Sequence, residues 1–351
     1  MNRRAIRKYR AILGAIMFAA AILFTWAGHA IYFSPLVQEE HYHSPEIYRD
    51  TPDISGDIIG LDDIIFTPPS EIHDSFFSLN EIRPRLQPLS ADYINRLLNF
   101  DYLISRIFLV DPETILFPSD IDIPNFIESD LSIDMSVSGP KVLIFHTHSA
   151  EMFVDSNPAY PMTGIMGVGK YLTQILNEIH GIETMHYTGR FDVIDGRTQR
   201  GGSYERMEPV IRQILQDNPS IQVVIDLHRD GVGEHVPPFV TYIDGTRTAQ
   251  IMFFNGLSRR FRGGMAEDVH WLPNPYQSEN LNFSFRLQLA ANQLYPGIAR
   301  RVYLRAFRYS LHMMPLSTLV EVGNQHNTQK DALNAMHPLA DIIAAVVVPS
   351  P

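Results

Sequence analysis

Three apolar runs along the chain each lead into ionisable residues. The runs lie at 142–145, 223–227 and 319–322, and His, Glu, Asp or Arg residues interrupt or follow them. Largely apolar runs of about four to eight residues are typical of strands that are buried on both faces. The pattern therefore predicts buried strands with ionisable side chains at their carboxyl ends, the edge where ligands bind in open α/β sheets.

Strand-like and helix-like patterns alternate from residue 141 onward, which predicts an α/β fold with a layered, twisted sheet and flanking helices. Residues 239–243 and 249–254 flank a turn and predict a hairpin at a sheet edge. A final helix is predicted over 328–347, with a break or kink at Pro338. The other predicted elements are helices around 171–179, 207–215 and 280–294 and strands at 182–186, 221–227, 303–310 and 317–322.

The first 35 residues have the pattern of a membrane anchor. Five basic residues among the first ten precede an uncharged stretch at 11–33 that carries Trp26 near its far end. An apolar run of about 20 residues can span a bilayer, and positive charge before it places the N terminus in the cytoplasm. We therefore expect a single-pass anchor at 1–35 with the rest of the chain outside the membrane. A cleavable signal peptide, with a weak cleavage motif at 27–30, is the alternative.

The remaining chain divides into two predicted regions. Residues 36–140 read as an extracytoplasmic stalk and helical lead-in, with helical spacing at about 89–107 and a Pro- and Asp-rich linker at 111–140. Residues 141–351 carry the alternating pattern and are predicted to form the catalytic domain.

Composition narrows the chemistry. The chain has 351 residues, no cysteine and a formal net charge of -11. Without cysteine there are no disulfides, no thiolate zinc sites and no cysteine nucleophiles, so any metal must bind His and carboxylate groups. The negative net charge argues against a nucleic-acid partner. An anionic polymer would have to be recognised by individual residues at the binding site rather than by the overall charge of the protein. The sequence also contains no Gly-x-Ser-x-Gly motif and no Gly-rich phosphate loop.

The strand-end clusters contain candidate metal ligands. His146, His148 and Glu151 follow the first run, and His228 ends the second. His146 and His148 are two residues apart, so on a continuing strand their side chains would face the same side. Histidines and a carboxylate gathered at one sheet edge match the composition of a catalytic zinc site.

Glu321 interrupts the third run. A buried carboxylate there must be paired, bound to metal or kept protonated. It is either an ion-pair partner of Arg229 or Arg308, or a general base whose pKa is tuned by burial. Asp230, two residues after His228, either orients that histidine or pairs with Arg229.

The chain resembles the stage II sporulation protein P (SpoIIP) family of membrane-anchored peptidoglycan hydrolases. The resemblance covers about residues 142–347. Its motifs are the strand-end segments already described together with Gly181-Ile182, His186, Ser203-Tyr204, Asn280-Leu281-Asn282-Phe283, Tyr295-Pro296-Gly297, Asn327-Thr328 and Ala332.

The resemblance implies a fold like that of the zinc-dependent N-acetylmuramoyl-L-alanine amidases and cleavage of the amide between the glycan and its stem peptide. By position, His148 and His228 match the zinc-binding histidines and Glu321 matches the catalytic glutamate. The middle ligand is either Glu151 or His146, because the matching helix near 168–170 carries no acid. Arg229 is a candidate for stabilising the oxyanion.

The resemblance also implies peptidoglycan as the partner polymer, attachment to the cell membrane, and contacts of 36–140 with other wall or septal membrane proteins. Cleavage of peptide cross-links is the alternative activity. A non-catalytic wall-binding or scaffold protein is the alternative of a different class. The segment 309–312 departs from the family, in which many members have Asn-Gln.

Overall fold

A central mixed sheet organises the protein in a computed structural model that describes residues 84–349. Within these residues the sheet has seven strands in the order β1-β12-β9-β13-β6-β2-β3. The strands are β1 (Phe108–Val110), β2 (Val142–Phe145), β3 (Thr184–His186), β6 (Val223–Asp230), β9 (Ile251–Gly256), β12 (Val302–Arg305) and β13 (Ser317–Asn324).

Short hairpins and helices complete the fold. The hairpin strands are β4 (Val193–Ile194), β5 (Arg197–Thr198), β7 (Val240–Ile243), β8 (Thr246–Ala249), β10 (Arg259–Arg262) and β11 (Met265–Asp268). The α-helices are α1 (Ala91–Leu97), α2 (Phe100–Arg106), α3 (Ile123–Glu128), α4 (Ile165–Glu178), α5 (Ser203–Asp217), α6 (Gln277–Leu294), α7 (Gln329–Asn334) and α8 (Met336–Val347).

The sheet contains two groups of strands that run in opposite directions. Strands β13, β6, β2 and β3 are parallel to one another, whereas β9 pairs with β13 in the antiparallel sense and is parallel to β12. The carboxyl ends of β2, β6 and β13 therefore meet at one edge of the sheet, as the three apolar runs predicted. The α/β class is confirmed.

Alternation along the strands builds a core on both faces of the sheet. Val142 and Ile144 pack into a core with the buried residues of α4, α6 and α8. Leu143 and Phe145 point to the other face and pack against the buried residues of α5. A strand that lies between two layers is buried on both faces, so its four consecutive residues are all apolar. A strand buried on one face only would instead alternate apolar and polar residues.

The lead-in contributes to the same sheet. The helical spacing at 89–107 corresponds to α1 and α2, and β1 then forms the edge strand beside β12. The linker predicted at 111–140 contains α3, whose Phe126 is buried with its ring centroid 5.8 Å from that of Phe285. The sequence did not predict this helix, because the short apolar segment is too brief to show a helical period.

Two element predictions need correction. The hairpin joins β7 to β8, and β9 instead runs through the middle of the central sheet with all six of its residues buried. The last helix is divided at Ala335 rather than at Pro338, which lies in the first turn of α8. Proline is tolerated in a first turn because its missing N–H would have no partner within the helix.

The strand predicted at 303–310 is also shorter than expected. It ends at Arg305, and Tyr309 has a φ of 52°, a left-handed conformation that does not fit a strand. Among the helices of residues 84–349, none has the length and apolar content needed to cross a membrane. The anchor predicted at 1–35 lies outside the described residues.

Candidate metal centre

The chain turns sharply after β2, and the turn and the residue that follows it provide two of the candidate ligands, His148 and Glu151. β2 ends at Phe145, and residues 147–150 form a turn rather than a continuation of the strand. Asp192 fixes the turn, since its carboxylate accepts hydrogen bonds from the Ser149 hydroxyl at 2.6 Å and the Ala150 N–H at 3.0 Å. Glu151 follows directly and points back to the sheet edge.

His148, Glu151 and His228 form a compact cluster. Their potential ligand atoms all lie within 4.8 Å of one another, and all three residues are buried. The Nδ1 atom of His148 is 3.6 Å from Oε1 of Glu151, and Nδ1 of His228 is 3.5 Å from Oε2 of the same carboxylate. Glu151 thus lies between the two imidazoles.

Partners behind the cluster fix both imidazole rings. Nε2 of His228 donates to Oδ1 of Asp226 at 2.7 Å, and Nε2 of His148 lies 3.1 Å from the Ser203 hydroxyl. Asp226 is itself held by the N–H and the hydroxyl of Thr147, at 2.9 and 2.7 Å. Each ring therefore directs Nδ1 toward the cluster, which is the arrangement that orients metal-binding histidines in proteins.

The donor set fits a metal ion. Zn–N and Zn–O bonds of about 2.0–2.2 Å place tetrahedral donors roughly 3.4 Å apart, close to the separations seen between Glu151 and each histidine. Electrostatics agree with this. Burial alone would lower the pKa of His228, but the carboxylates of Asp226 and Glu151 raise that pKa well above its usual value. The cluster therefore favours a positive charge at this point, and these three residues could hold a metal ion.

His146 lies outside the cluster. Its Nδ1 donates to the Leu227 carbonyl at 2.7 Å, and Nε2 therefore accepts from Nε2 of His186 at 2.9 Å. The strand ends before His146, so the same-side geometry of a continuing strand does not apply, and His148 instead contacts Ser203 on α5. Burial lowers the pKa of His146 to about 4, so the ring is neutral at physiological pH.

Glu321 lies on β13 directly opposite His228 on β6. The pairing of these strands shifts between Glu321 and Asn324, where Gly323 has a φ of 60°. Such bulges bend a strand and redirect side chains beside functional sites. The side chain is partly exposed, yet its Oε2 is buried and has no hydrogen-bond partner among the described residues. Burial and the nearby charge of Asp230 raise the pKa of Glu321 to about 8.

The arginine and aspartate beside His228 have separate partners. The backbone N–H of Arg229 donates to Oε2 of Glu151 at 2.8 Å, and its Nε donates to the Met152 carbonyl at 2.9 Å. Asp230 pairs with Arg300 at 2.6 Å. Asp226, and not Asp230, orients His228. Residues two apart on a strand share a face, so the spacing places both Asp226 and Asp230 on the face of His228 and does not choose between them.

Ser203 and Asp192 are the contributors that sequence reasoning missed. The sequence shows Ser203 only as part of the Ser203-Tyr204 motif and gives it no role, although its hydroxyl contacts His148. Asp192 had no recognisable motif. Asp192 lies between β3 and β4 and Ser203 begins α5, and only tertiary packing brings both residues to the turn after β2.

Comparison with known proteins agrees with the sequence motifs. The profile of the family described as stage II sporulation protein P (SpoIIP) matches residues 112–344. Stage II sporulation protein P of Bacillus subtilis strain 168 is 23% identical over 221 residues, which cover 58% of this chain and 50% of that protein. The chain thus aligns with about half the length of this relative.

Two solved structures are also similar. N-acetylmuramoyl-L-alanine amidase AmiC2 of Nostoc punctiforme aligns with a TM-score of 0.34 and 16% identity over 59% of this chain and 97% of that one. The CwlD amidase of Clostridioides difficile, in complex with the GerS lipoprotein, aligns with a TM-score of 0.36 and 13% identity over 59% and 95%.

Proposed function

Since the chain belongs to the stage II sporulation protein P family, we propose that it is a zinc-dependent peptidoglycan hydrolase that cleaves the amide between N-acetylmuramic acid and the stem peptide. The observation that supports this most directly is the meeting of His148, Glu151 and His228 around one point, with Glu321 on the neighbouring strand. Three protein ligands with a separate carboxylate are the composition of catalytic zinc sites.

His148, Glu151 and His228 would hold the zinc ion, which supplies Lewis acidity that activates water and polarises an amide carbonyl. Glu151 is the middle ligand in this proposal, since both ring nitrogens of His146 are engaged elsewhere. Asp226 and Ser203 keep the two ligand rings in position.

Glu321 is the proposed general base. With a pKa near 8 it is poised between its two forms near neutrality, and positive charge at the neighbouring cluster favours the ionised form. Its Oε2, which has no hydrogen-bond partner within residues 84–349, can accept the proton of the attacking water and then pass it to the leaving amine nitrogen. Arg229 supports this arrangement by holding Glu151 and the Met152 carbonyl, and its part in stabilising an oxyanion stays a prediction.

Mass analysis of purified peptidoglycan digested by the full chain tests the proposal. We expect released stem peptides and glycan with unmodified muramic acid, loss of product with a chelator, and recovery after zinc is added back. Cross-link cleavage would instead give separated peptides that remain attached to muramic acid. Binding to peptidoglycan without any product, from protein that contains zinc, would reject the enzyme and support the scaffold alternative.

We also propose that the enzyme acts outside the cytoplasm and is held at the membrane by residues 1–35. The basic residues ahead of the apolar run support this topology. A reporter that functions only outside the membrane should be active after Pro351. Activity of a strictly cytoplasmic reporter at the same position would contradict the proposed orientation.

A further inference from the structure

Arg200 lies at the rim of the metal centre. Its Nη2 is 3.3 Å from Oε1 of Glu151, and its side chain is 41% exposed. The guanidinium group therefore contacts the cluster and solvent at the same time. A group in this position can touch a substrate that enters the site.

The loop that carries Arg200 is fixed by hydrogen bonds. The guanidinium of Arg206 donates to the carbonyls of Phe191, Gln199 and Gly201, at 2.7, 2.7 and 3.0 Å. The Ser203 N–H donates to the Arg200 carbonyl at 3.0 Å, and the hydroxyl of Ser203 contacts His148. The same loop thus positions one ligand ring and presents Arg200, so its placement relative to the site is defined by the backbone.

Glu151 does not depend on Arg200 for neutralisation. Its carboxylate also lies against His148 and His228 and accepts a hydrogen bond from the Arg229 N–H. As a metal ligand it would share its charge with the ion. Arg200 can then direct its remaining N–H groups to a second carboxylate, because a planar guanidinium offers five donors.

The neighbouring arginines are less available for this role. Arg300 pairs with Asp230 and stacks on Phe239, with its guanidinium carbon 4.1 Å from the ring centroid. Arg229 donates to backbone carbonyls of Met152 and Asp230. Among the described arginines that contact the cluster or Asp230, Arg200 is the one whose side chain pairs with Glu151.

We infer that Arg200 is a substrate-binding residue that recognises a carboxylate on the peptide side of the scissile amide. The inference rests on the proposed function. The glycan repeat of peptidoglycan is uncharged where the lactyl group is joined to peptide, so the anionic groups of this substrate lie on the stem peptide. A chain with a net charge of -11 does not attract an acidic polymer by its overall charge, and one arginine at the site supplies the local recognition.

Two muramoyl dipeptides that differ in one group provide the probe. N-acetylmuramoyl-L-alanyl-D-glutamate has a free α-carboxylate, and N-acetylmuramoyl-L-alanyl-D-isoglutamine carries an amide there. Calorimetry would measure the affinity of the full zinc-bound chain for each ligand. The protein would carry Glu321→Gln so that the ligand is not hydrolysed during the measurement. We expect the acid to bind about tenfold tighter than the amide, since charge-assisted hydrogen bonds are roughly twice as strong as neutral ones.

Adding Arg200→Gln should remove this preference while binding of the amide changes little. Arg197→Gln, at an exposed arginine on β5, is the matched control and should keep the preference. The inference would be overturned if the protein with Arg200 intact bound both ligands equally or bound neither measurably. It would also be overturned if Arg200→Gln left the preference for the acid unchanged.

Metal content and hydrolysis separate the remaining possibilities. If Arg200 only holds Glu151, Arg200→Gln will lower zinc content and weaken both ligands equally, which also overturns the inference. Hydrolysis is measured separately with Glu321 intact. A preserved preference for the acid without hydrolysis would reject the proposed reaction and retain the binding site.

Discussion

Glu151 and Glu321 are the same side chain in two different surroundings at one sheet edge. Glu151 lies against two imidazoles and accepts a backbone N–H. Burial alone would raise its pKa, but His228, His148 and Arg229 lower that pKa well below the usual value. Glu321 has a buried oxygen without a partner in the described residues, and burial together with Asp230 raises its pKa to about 8.

Under the proposed function, this difference suits the two carboxylates to different tasks. An ionised carboxylate among donors is suited to binding a cation, whereas a carboxylate with a raised pKa can gain and lose a proton near neutrality. Two carboxylates whose pKa values are separated by their surroundings are a common sign of divided chemical roles. Substitutions at the two residues should therefore have separable effects on metal binding and turnover.

The largest expected effect is the loss of turnover in Glu321→Gln. Glutamine has nearly the same shape but cannot accept a proton, and removal of a general base costs about 10²–10⁴-fold in rate. Release of stem peptides is the measurement. Zinc content and the denaturation midpoint should stay near those of the unmodified protein.

Unfolding of Glu321→Gln would instead identify Glu321 as a structural residue. Wild-type rates of peptide release would place the general base elsewhere.

Glu151→Gln should weaken zinc binding, the task proposed for the other carboxylate. The amide is uncharged and is a weaker metal ligand than the carboxylate, so zinc affinity should fall. The loss should exceed the roughly 10–100-fold that is typical when a residue hydrogen-bonded to a metal ligand is replaced. Chelator competition measures the affinity. Glu205→Gln, at an exposed glutamate near the start of α5, is the control. Unchanged affinity in Glu151→Gln would remove this residue from the ligand set.

Asp226→Asn tests the support behind His228. The amide weakens the hydrogen bond to Nε2 and no longer favours the orientation that directs Nδ1 toward Glu151. Zinc affinity should fall by about 10–100-fold. Asp217→Asn, on the exposed side of α5, should leave it unchanged. Equal affinities in the two variants would mean that the carboxylate of Asp226 serves only the Thr147 turn.

Asp230→Asn should produce the smallest effect, a shift in the pH profile. The charge of Asp230 raises the pKa of Glu321, so its removal lowers that pKa. Arg300, released from its pair, favours the ionised carboxylate as well. A general base is active only when ionised, so the limb on which rate falls with falling pH should move to lower pH while zinc content stays constant. A shift to higher pH would contradict the proposed role of Asp230.

Sequence reasoning predicted the strands of this site better than the connections around them. The apolar runs that end near His148, His228 and Glu321 identified three neighbouring strands, because burial on both faces permits little except apolar residues. The predicted hairpin between 239–243 and 249–254 was wrong, because local sequence does not show which strands pair in the sheet. Adjacent strands in a sequence often pair, and only the packing of the whole sheet shows that β9 lies between β12 and β13.

The sequence by itself determined which chemical groups are available and on which strands they lie. No cysteine is present, His146 and His148 follow the first apolar run, His228 ends the second, and a glutamate interrupts the third. Only the tertiary structure decided how they are grouped. The turn after Phe145 brings Glu151 to the histidines and leaves His146 with His186. Strand periodicity predicts direction only while the strand continues, and beyond its end the contacts of distant residues such as Asp192 and Ser203 set the geometry.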